Sequence, residues 1–358
     1  MKHIISVSFS RTKAYESHKE FLNKFLNVSF GHYLPLTEKY DIHVCNNATF
    51  EGEFYDHGIK WHYTNLHSPL ALFKLVNYYR KKDAVFLIHG FHTPLHVLFL
   101  KLFHSPSRMM VLHHAERPAK HPLKRRLQRS AFHNLKALFV SEDQAQSFYS
   151  HKVLTPGSIK EVMECSTDFE ATEPLKYEGR WKCLWVGRLD RNKDPLTVIR
   201  AVALLKTRGV DVHLQMVYSS GHLEAVVKQM IHDLGLSNWI TLRGPKTHKQ
   251  LESMYRENHL FLAASHYEGS GVAACEAMAC GCVPLLTTIP SFKKMTRNGE
   301  GGFLYEPTQF LQLSEIVANL NETTWLAKRQ QAISIFKEDL SFAAIKQRYE
   351  EILEEAFV

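Results

Sequence analysis

The sequence predicts an α/β protein built from two doubly wound domains. Short apolar runs alternate with longer amphipathic stretches along most of its 358 residues, which is typical of parallel sheets covered by helices on both faces. The alternation breaks over the polar stretch 164–180 and then begins again. A chain of this length also suits two domains of ordinary size.

The first half contains five apolar runs that are typical of buried strands. These strands are predicted at 3–9, 40–45, 84–88, 108–113 and 135–140. Helices are predicted at 68–81 and 94–103, and Pro69 stands at the start of the first of them, where proline is tolerated. We assign residues 1–168 to this domain.

The second half repeats the pattern. Strands are predicted at 181–186, 210–217, 239–243, 259–263 and 282–286, and helices at 194–207, 222–234, 247–256 and 271–280. Asp194 fits the N-cap of the first of these helices, and Gly209 fits its C-terminal end. We assign 169–338 to the second domain and 339–358 to a final helix.

Two doubly wound domains that face each other form a central cleft. Ligands of such sheets bind at the carboxyl ends of the strands, so the cleft is the expected active site and domain closure is the expected motion. The fold by itself suits kinases, synthetases, epimerases and binding proteins equally well.

Composition and charge restrict the compartment and the partners. The first charged residues return after a short apolar run, which favours a buried strand over a signal peptide and predicts a cytoplasmic protein. The formal net charge of +8 suggests an anionic partner. We expect no nucleic acid, because aromatic residues do not alternate with the cations as a stacking platform requires.

We expect no metal site. The six cysteines are scattered, and the cluster formed by Cys275, Cys280 and Cys282 does not have the paired C-x2-C spacing of structural zinc sites. The histidines of 89–96 have suitable spacing, but no carboxylate stands near them in the sequence.

The most informative segment is HYEGSGVAACEAMACGCVPLL, residues 266–286. A strand is followed by a glycine-containing loop, and a helix begins at Val272. The first amides of a helix have no partner within it and lie at its positive end, so this turn is suited to a phosphate or diphosphate. Glu268 and Glu276 could accept hydrogen bonds from two sugars on either side of that diphosphate. The alternative, an ordinary capping loop with Glu276 on a solvated edge, remains open.

A second segment, LWVGRLDRNKDP at 184–195, places Arg188 and Lys193 in a loop between a strand and a helix. Cations in such a loop could neutralise a leaving diphosphate. Solvated surface charge is the alternative interpretation.

Together these segments resemble retaining glycosyltransferase family four, the glycosyl transferases group 1. Glu268 and Glu276 match the family's pattern of two glutamates separated by seven residues, and the sequence continues as Glu-Ala-Met-Ala. Gly187, Arg188 and Lys193 match its Gly-Arg-Leu-x-x-x-Lys motif. The resemblance is strong over 181–304, and the ending SFAAIKQRYEEILEEAF resembles the family's last helix.

The resemblance implies a GT-B fold of two Rossmann-like domains, whose last helix crosses back to the N-terminal domain. It implies transfer of a sugar, with retention, from a UDP- or GDP-sugar to a glycan or lipid-linked acceptor in polysaccharide or surface-glycan biosynthesis, with no other cofactor. A GT-B epimerase or phosphorylase and a catalytically inactive scaffold are the alternatives.

The resemblance also implies roles for individual residues. Arg188 and Lys193 would bind the diphosphate, Glu268 the transferred sugar, and Glu276 the ribose. Backbone amides around the turn would hold the phosphate: those of Gly269, Ser270, Gly271 and Val272. Gly187, in the neighbouring loop, would also belong to the donor-binding site. Beside the base, Arg243 is a weaker candidate, together with Gly244 and Lys246.

The first domain departs from the family pattern. The family's glycine-rich loop after the first strand is replaced in 8–16 by a stretch in which Ser8, Ser10, Arg11 and Thr12 are the candidates to take its place. The family's Pro-Asn-Gly-x-Asp is reduced to ECSTD at 164–168.

The family often has a histidine near the reacting sugar, at the end of the strand predicted at 108–113. His113 and His114 both fit, and His113 is preferred because it continues the strand directly. His89 is a further candidate, and a surface or capping histidine is the alternative for each.

The basic run at 119–130 could contact an anionic membrane as an amphipathic helix. Leu123, Leu127 and Phe132 would then share one side of the helix. The solvated face of an ordinary packed helix is the simpler interpretation and is favoured.

Overall fold

The computed structural model describes residues 2–12, 16–25, 30–219 and 221–357. The chain divides into two compact units, one of Met1–Ser166 with Phe342–Val358 and one of Thr167–Ser341. The sequence-based boundaries were set after residues 168 and 338. The cleft expected between the two domains stays a prediction.

In the described residues of the first unit, eight strands form one sheet. They are β1 (His3–Thr12), β2 (Asp41–Ala48), β3 (Gly52–Asp56), β4 (Ile59–Thr64), β5 (Ala84–His89), β6 (Met109–Leu112), β7 (Lys136–Phe139) and β8 (Ile159–Glu161). Their order is β3-β4-β2-β1-β5-β6-β7-β8, and every neighbouring pair is parallel except β3 with β4. This parallel core follows the predicted alternation.

The sequence analysis missed the β3–β4 hairpin. Its two connecting residues, His57 and Gly58, both have positive φ angles, of 53° and 76°, which is the backbone of the tightest hairpin turns. Only one face of β4 is buried, through Ile59, Trp61 and Tyr63. Because Lys60 and His62 interrupt the apolar residues, no continuous apolar run marks the strand.

The helices of the first unit lie on the connections between these strands. They are α1 (His18–Phe25), α2 (Pro69–Tyr79), α3 (Pro94–Lys101), α4 (Pro122–Phe132) and α5 (Gln146–Ser150). In α4, Ala131 and Phe132 are buried but Leu123 is 63% exposed. Leu123 and Phe132 are nine residues apart, which at 3.6 residues per turn places them on opposite sides of the helix, so the single apolar side predicted for 119–130 is wrong. Membrane contact by 119–130 stays a prediction.

The second unit has a parallel six-stranded sheet. Its strands are β9 (Trp181–Gly187), β10 (Val212–Tyr218), β11 (Ile240–Gly244), β12 (Leu260–Leu262), β13 (Val283–Thr287) and β14 (Phe303–Tyr305), in the order β11-β10-β9-β12-β13-β14. Its helices are α6 (Pro195–Thr207), α7 (Glu224–Asp233), α8 (His248–Arg256), α9 (Val272–Cys280), α10 (Pro290–Met295), α11 (Phe310–Ala318) and α12 (Glu322–Ile335). From β9 the strands are added on one side of the sheet as far as β11, and from β12 they are added on the other side, so the strand order reverses between β9 and β12.

The last helix, α13 (Phe342–Phe357), belongs to the first unit. Its Tyr349 ring stacks on His32 with centroids 4.8 Å apart, and Arg348 donates to the carbonyl of Glu161 at 2.9 Å. The return of the last helix to the N-terminal domain is therefore confirmed. None of the helices in the described ranges is both long enough and apolar enough to cross a membrane.

Candidate functional site

The loop between β12 and α9 is shaped by a glycine. Gly271 has φ of +86°, and a Cβ atom there would lie 2.7 Å from Cε1 of Phe292, so a side chain would meet both backbone strain and a clash. The first hydrogen bonds inside α9 run from the amides of Ala274 and Cys275 to the carbonyl of Gly271. The helix therefore begins abruptly, with the amides of its first turn at the carboxyl edge of the sheet.

A carboxylate organises the loop between β9 and α6. Asp190 accepts a hydrogen bond from the amide of Lys193 at 2.9 Å and lies 3.2 Å from Nε of Arg188. The Arg188 side chain is 64% exposed. Asp194 caps α6 by accepting from the amide of Thr197 at 3.2 Å, as the sequence predicted. The loop thus presents Arg188 to solvent and fixes the backbone of Lys193.

The two loops meet, although they are separated by some seventy residues of chain. Lys193 Nζ donates to Glu268 Oε1 at 2.5 Å, and Asn192 Nδ2 donates to the carbonyl of Tyr267 at 2.9 Å. Both loops follow the carboxyl ends of adjacent strands, β9 and β12, where the strand order reverses. In doubly wound sheets this switch point is the ligand position.

Glu276 is buried on α9 instead of lying on a solvated edge. Its side chain is 7% exposed, and its Oε2 accepts a hydrogen bond from the hydroxyl of Tyr255 at 3.0 Å. His248 Nδ1 lies 3.7 Å from the other carboxylate oxygen, and His248 Nε2 lies 3.5 Å from Asp168. The alternative of a solvated glutamate is therefore excluded.

Burial raises the pKa of Glu276 to about 7. The hydrogen bond from Tyr255 opposes this shift, and the negative charge of Asp168 adds to it. A carboxylate loses hydration when it is buried, so its neutral form is favoured until other groups supply hydrogen bonds. Near neutral pH this side chain exists both as an acceptor-only carboxylate and as a protonated acid.

Sequence reasoning missed the three partners of Glu276. Tyr255 and His248 are seven residues apart on α8 and so lie on one face of the helix. Asp168 is the aspartate of the ECSTD segment. The tyrosine hydroxyl on the apolar side of α8 was a usable signal, because a buried hydroxyl needs an acceptor.

Arg243 is placed apart from this group. It donates to Oε1 of Gln215 at 2.8 Å and lines a cavity of about 330 Å³ with Arg180, Lys182 and His213. A role for Arg243 beside a base stays a prediction.

His113 and His114 are in different environments. The His113 ring is buried and stacks on Phe139 with centroids 4.2 Å apart, and burial lowers its pKa to about 4. His114 Nε2 lies 2.8 Å from His89 Nδ1, and its other ring nitrogen pairs with Glu164. The His114 ring thus joins two polar side chains, whereas the His113 ring lies 3.0 Å from the carbonyl of Glu116. A catalytic role for His113 stays a prediction.

The segment 8–16 is only partly the loop that the sequence suggested. β1 continues to Thr12, so Ser8 and Ser10 are strand residues, and the expectation of a loop at these two positions is wrong. The register between β1 and β2 shifts between Ser8 and Thr12. The side chains of Arg11 and Thr12, and residues 13–15, lie outside the described residues.

A carboxylate that is distant in the sequence lies near the histidines of 89–96. His92 Nε2 lies 3.4 Å from Oε1 of Glu116. A Cβ atom on Gly90, whose φ is +78°, would lie 2.3 Å from the same oxygen. Glu116 thus lies near His92 in space although not in the sequence, because it follows a neighbouring strand.

Two Rossmann-like units and a returning last helix define the GT-B class. Solved structures with this fold include sucrose-phosphate synthase from Thermosynechococcus elongatus, at a TM-score of 0.74 and 15% identity over 99% of both chains. Anabaena HepE in complex with UDP matches 99% of this chain and 100% of its own, with a TM-score of 0.73 and 17% identity. These likenesses confirm the fold.

Residues 166–336 match the family described as glycosyl transferases group 1. A D-inositol 3-phosphate glycosyltransferase of an Arthrobacter species is 28% identical over 131 residues, 36% of this chain and 31% of the relative. The GDP-mannose:cellobiosyl-diphosphopolyprenol alpha-mannosyltransferase of Xanthomonas campestris is 29% identical over 170 residues, 46% and 44% of the two chains. The matched parts thus span less than half of these relatives.

Proposed function

We propose that the chain is a retaining glycosyltransferase that moves a sugar from a nucleoside-diphosphate donor to a glycan or lipid-linked acceptor, in polysaccharide or surface-glycan biosynthesis. The observation that carries this proposal is the 2.5 Å pairing of Lys193 with Glu268 beside the N-terminus of α9. A diphosphate at this point meets a cation and helix amides, and a sugar hydroxyl meets a carboxylate.

The second unit binds the donor. Glu276 accepts hydrogen bonds from the ribose hydroxyls, and Tyr255 and His248 hold its carboxylate in place. The UDP complex of HepE and the GDP-mannose in the name of the Xanthomonas relative support a nucleotide-sugar and leave both bases in the proposal.

Transfer breaks the bond between the anomeric carbon and the donor phosphate oxygen. The acceptor hydroxyl attacks the same face of the sugar, and its proton goes to an oxygen of the leaving diphosphate. Arg188, Lys193 and the first turn of α9 stabilise the negative charge on that group, and such fixed charges typically contribute about 10²–10³-fold in rate per group.

The first unit binds the acceptor. Polar side chains line up near the carboxyl ends of β5 and β6: Ser6 Oγ, within β1, lies 2.7 Å from His89 Nε2, and His89 Nδ1 lies 2.8 Å from His114 Nε2. Neighbouring hydroxyl and imidazole groups can orient a polyhydroxylated acceptor.

The test is thermal unfolding of the full chain with UDP, GDP, ADP and CMP. A ligand at about 100 times its Kd adds about 2.7 kcal/mol to the free energy of unfolding, which gives a measurable shift in Tm. One nucleoside diphosphate is expected to stabilise the wild type and Glu300→Gln, an exposed control, but not Glu276→Gln.

A product formed without an acceptor, or only with free phosphate, would support the epimerase or phosphorylase alternative. Absence of a shift with every nucleotide would support the inactive scaffold.

A further inference from the structure

One face of the first sheet carries a row of polar side chains at the amino ends of its strands, opposite to the edge with His89 and His114. His3 begins β1 and is the register partner of Asp41, which begins β2. His43 follows Asp41 by two residues, so it points to the same face. Lys60 on β4 is the register partner of His43.

Three side chains of this row have the spacing of metal ligands. His3 Nδ1 lies 3.1 Å and His43 Nε2 lies 3.2 Å from the same oxygen of Asp41, and the three ligand atoms all lie within 4.8 Å of one another. Bonds of about 2.0–2.1 Å around tetrahedral zinc separate ligand atoms by about 3.4 Å. Small rotations of the side chains would therefore place all three atoms around one ion.

The far side of the His43 ring is held. Its Nδ1 lies 2.6 Å from the hydroxyl of Tyr79 and 3.1 Å from Nε2 of His62. His62 in turn contacts Glu53 at 3.1 Å. A metal-binding histidine characteristically has such a partner on its other nitrogen, which fixes the tautomer and the ring orientation.

The near side of both rings faces Asp41. His3 Nδ1 and His43 Nε2 are buried and make no hydrogen bond of acceptable geometry, although both face Asp41. Neutral imidazole nitrogens beside a carboxylate attract a cation, and Lys60 Nζ lies 3.1 Å from Asp41.

We propose that His3, Asp41 and His43 bind a divalent transition-metal ion, with Zn²⁺ favoured by the ligand set. The ion displaces Lys60 from Asp41 and takes water as a fourth ligand. The side chains of His3 and Asp41 are 14% and 17% exposed, which lets the ion enter from solvent. The site joins the first residues of β1 and β2, and it is independent of the proposed sugar transfer.

The expectation that the chain has no metal site considered only residues close together in the sequence. His3 and Asp41 are thirty-eight positions apart and meet only through strand pairing.

The experiment is calorimetric titration of the metal-free full chain with Zn²⁺. Other histidines among the 22 of the chain can also bind Zn²⁺. The proposed site is therefore measured as the difference in bound Zn²⁺ between the wild type and His3→Gln. The matched control is His232→Gln, which removes a histidine that is 83% exposed beside Asp233. We expect one tight site in the wild type and the control, and its loss in His3→Gln.

Two further variants separate a built site from adventitious binding. Lys60→Met removes the competing ammonium and should tighten Zn²⁺ binding, and Tyr79→Phe removes a partner of His43 and should weaken it about 10–100-fold. Bound Co²⁺ should give the visible absorption of a tetrahedral site, which His3→Gln abolishes. Equal stoichiometry and affinity in the wild type and His3→Gln, with both folded by circular dichroism, would overturn the proposal.

Discussion

The hydroxyl of Tyr255 donates a hydrogen bond of 3.0 Å to Glu276, joining α8 to the buried carboxylate of α9. Burial raises the pKa of that carboxylate to about 7, against the effect of this bond. A group that changes charge near neutral pH makes donor binding and stability depend on pH in ways that can be measured separately.

Donor binding should weaken as the pH falls below 7. The carboxylate of Glu276 is the form that accepts hydrogen bonds at both oxygens, and about tenfold less of it remains one unit below its pKa. We expect the KM for the donor to rise by nearly that factor from pH 8 to pH 6, measured in steady-state kinetics. Glu276→Gln should have a high KM that changes little with pH; a wild-type KM that is constant over this range would contradict the role.

Glu276→Gln should also stabilise the protein at alkaline pH. Because its folded pKa is raised from the ordinary value of 4.5 to about 7, the wild-type glutamate favours the folded state most when it is protonated, below about pH 4.5, and this advantage disappears as the pH rises through 7. The neutral glutamine avoids that loss. The gain in free energy of unfolding over the wild type should grow from pH 5 to pH 8 and reach at most about 3 kcal/mol.

This second prediction is measured by urea unfolding at several pH values. Glu300→Gln is the control, since Glu300 is exposed and should show no such trend. Equal stability of Glu276→Gln and the wild type at pH 8 would show that the carboxylate is not destabilised by burial.

Gly271→Ala should weaken nucleotide binding and destabilise the fold. Its positive φ costs a side chain about 1–2 kcal/mol, and the 2.7 Å approach to Phe292 adds about 1–3 kcal/mol of overpacking. Gly209→Ala separates the two effects, because Gly209 has φ of +73° and no atom within 4 Å of the added Cβ. Thermal unfolding should show a larger loss of stability in Gly271→Ala than in Gly209→Ala. Nucleotide titration should show weaker binding in Gly271→Ala alone.

Arg188→Ala should lower kcat by about 10²-fold or more if its guanidinium stabilises the leaving diphosphate. The side chain is 64% exposed, so Tm should change little. Arg200→Ala removes an exposed arginine from α6 and should leave both quantities unchanged. Near-normal turnover of Arg188→Ala would remove this residue from the mechanism.

His113 and His114 should differ when each is changed to glutamine. His113→Gln breaks the buried stack on Phe139 and should cost about 1–3 kcal/mol of stability. His114→Gln should leave stability nearly unchanged and lower kcat about 10²-fold through loss of its contact with the acceptor. The opposite result, a kinetic effect at His113 alone, would support His113, the residue that the sequence preferred.

Much of the fold could be predicted from the sequence because buried parallel strands are continuous apolar runs. The run at 84–88 and the strand β5 (Ala84–His89) agree closely. The short strands β8 and β14 were missed, and β8 (Ile159–Glu161) contains no apolar run. The single apolar side expected for 119–130 was wrong, because Leu123 and Phe132 lie half a turn apart around the helix.

The sequence by itself determined the residues of the candidate donor site, since Gly271, Glu268 and Lys193 lie in short motifs whose spacing is local. Only the tertiary structure decided their partners. The pairing of Lys193 with Glu268 depends on β9 and β12 being neighbours, and the burial of Glu276 depends on α8 packing on α9. Strand order and helix packing are set by the whole core, so a contact between distant segments cannot be read from either segment alone.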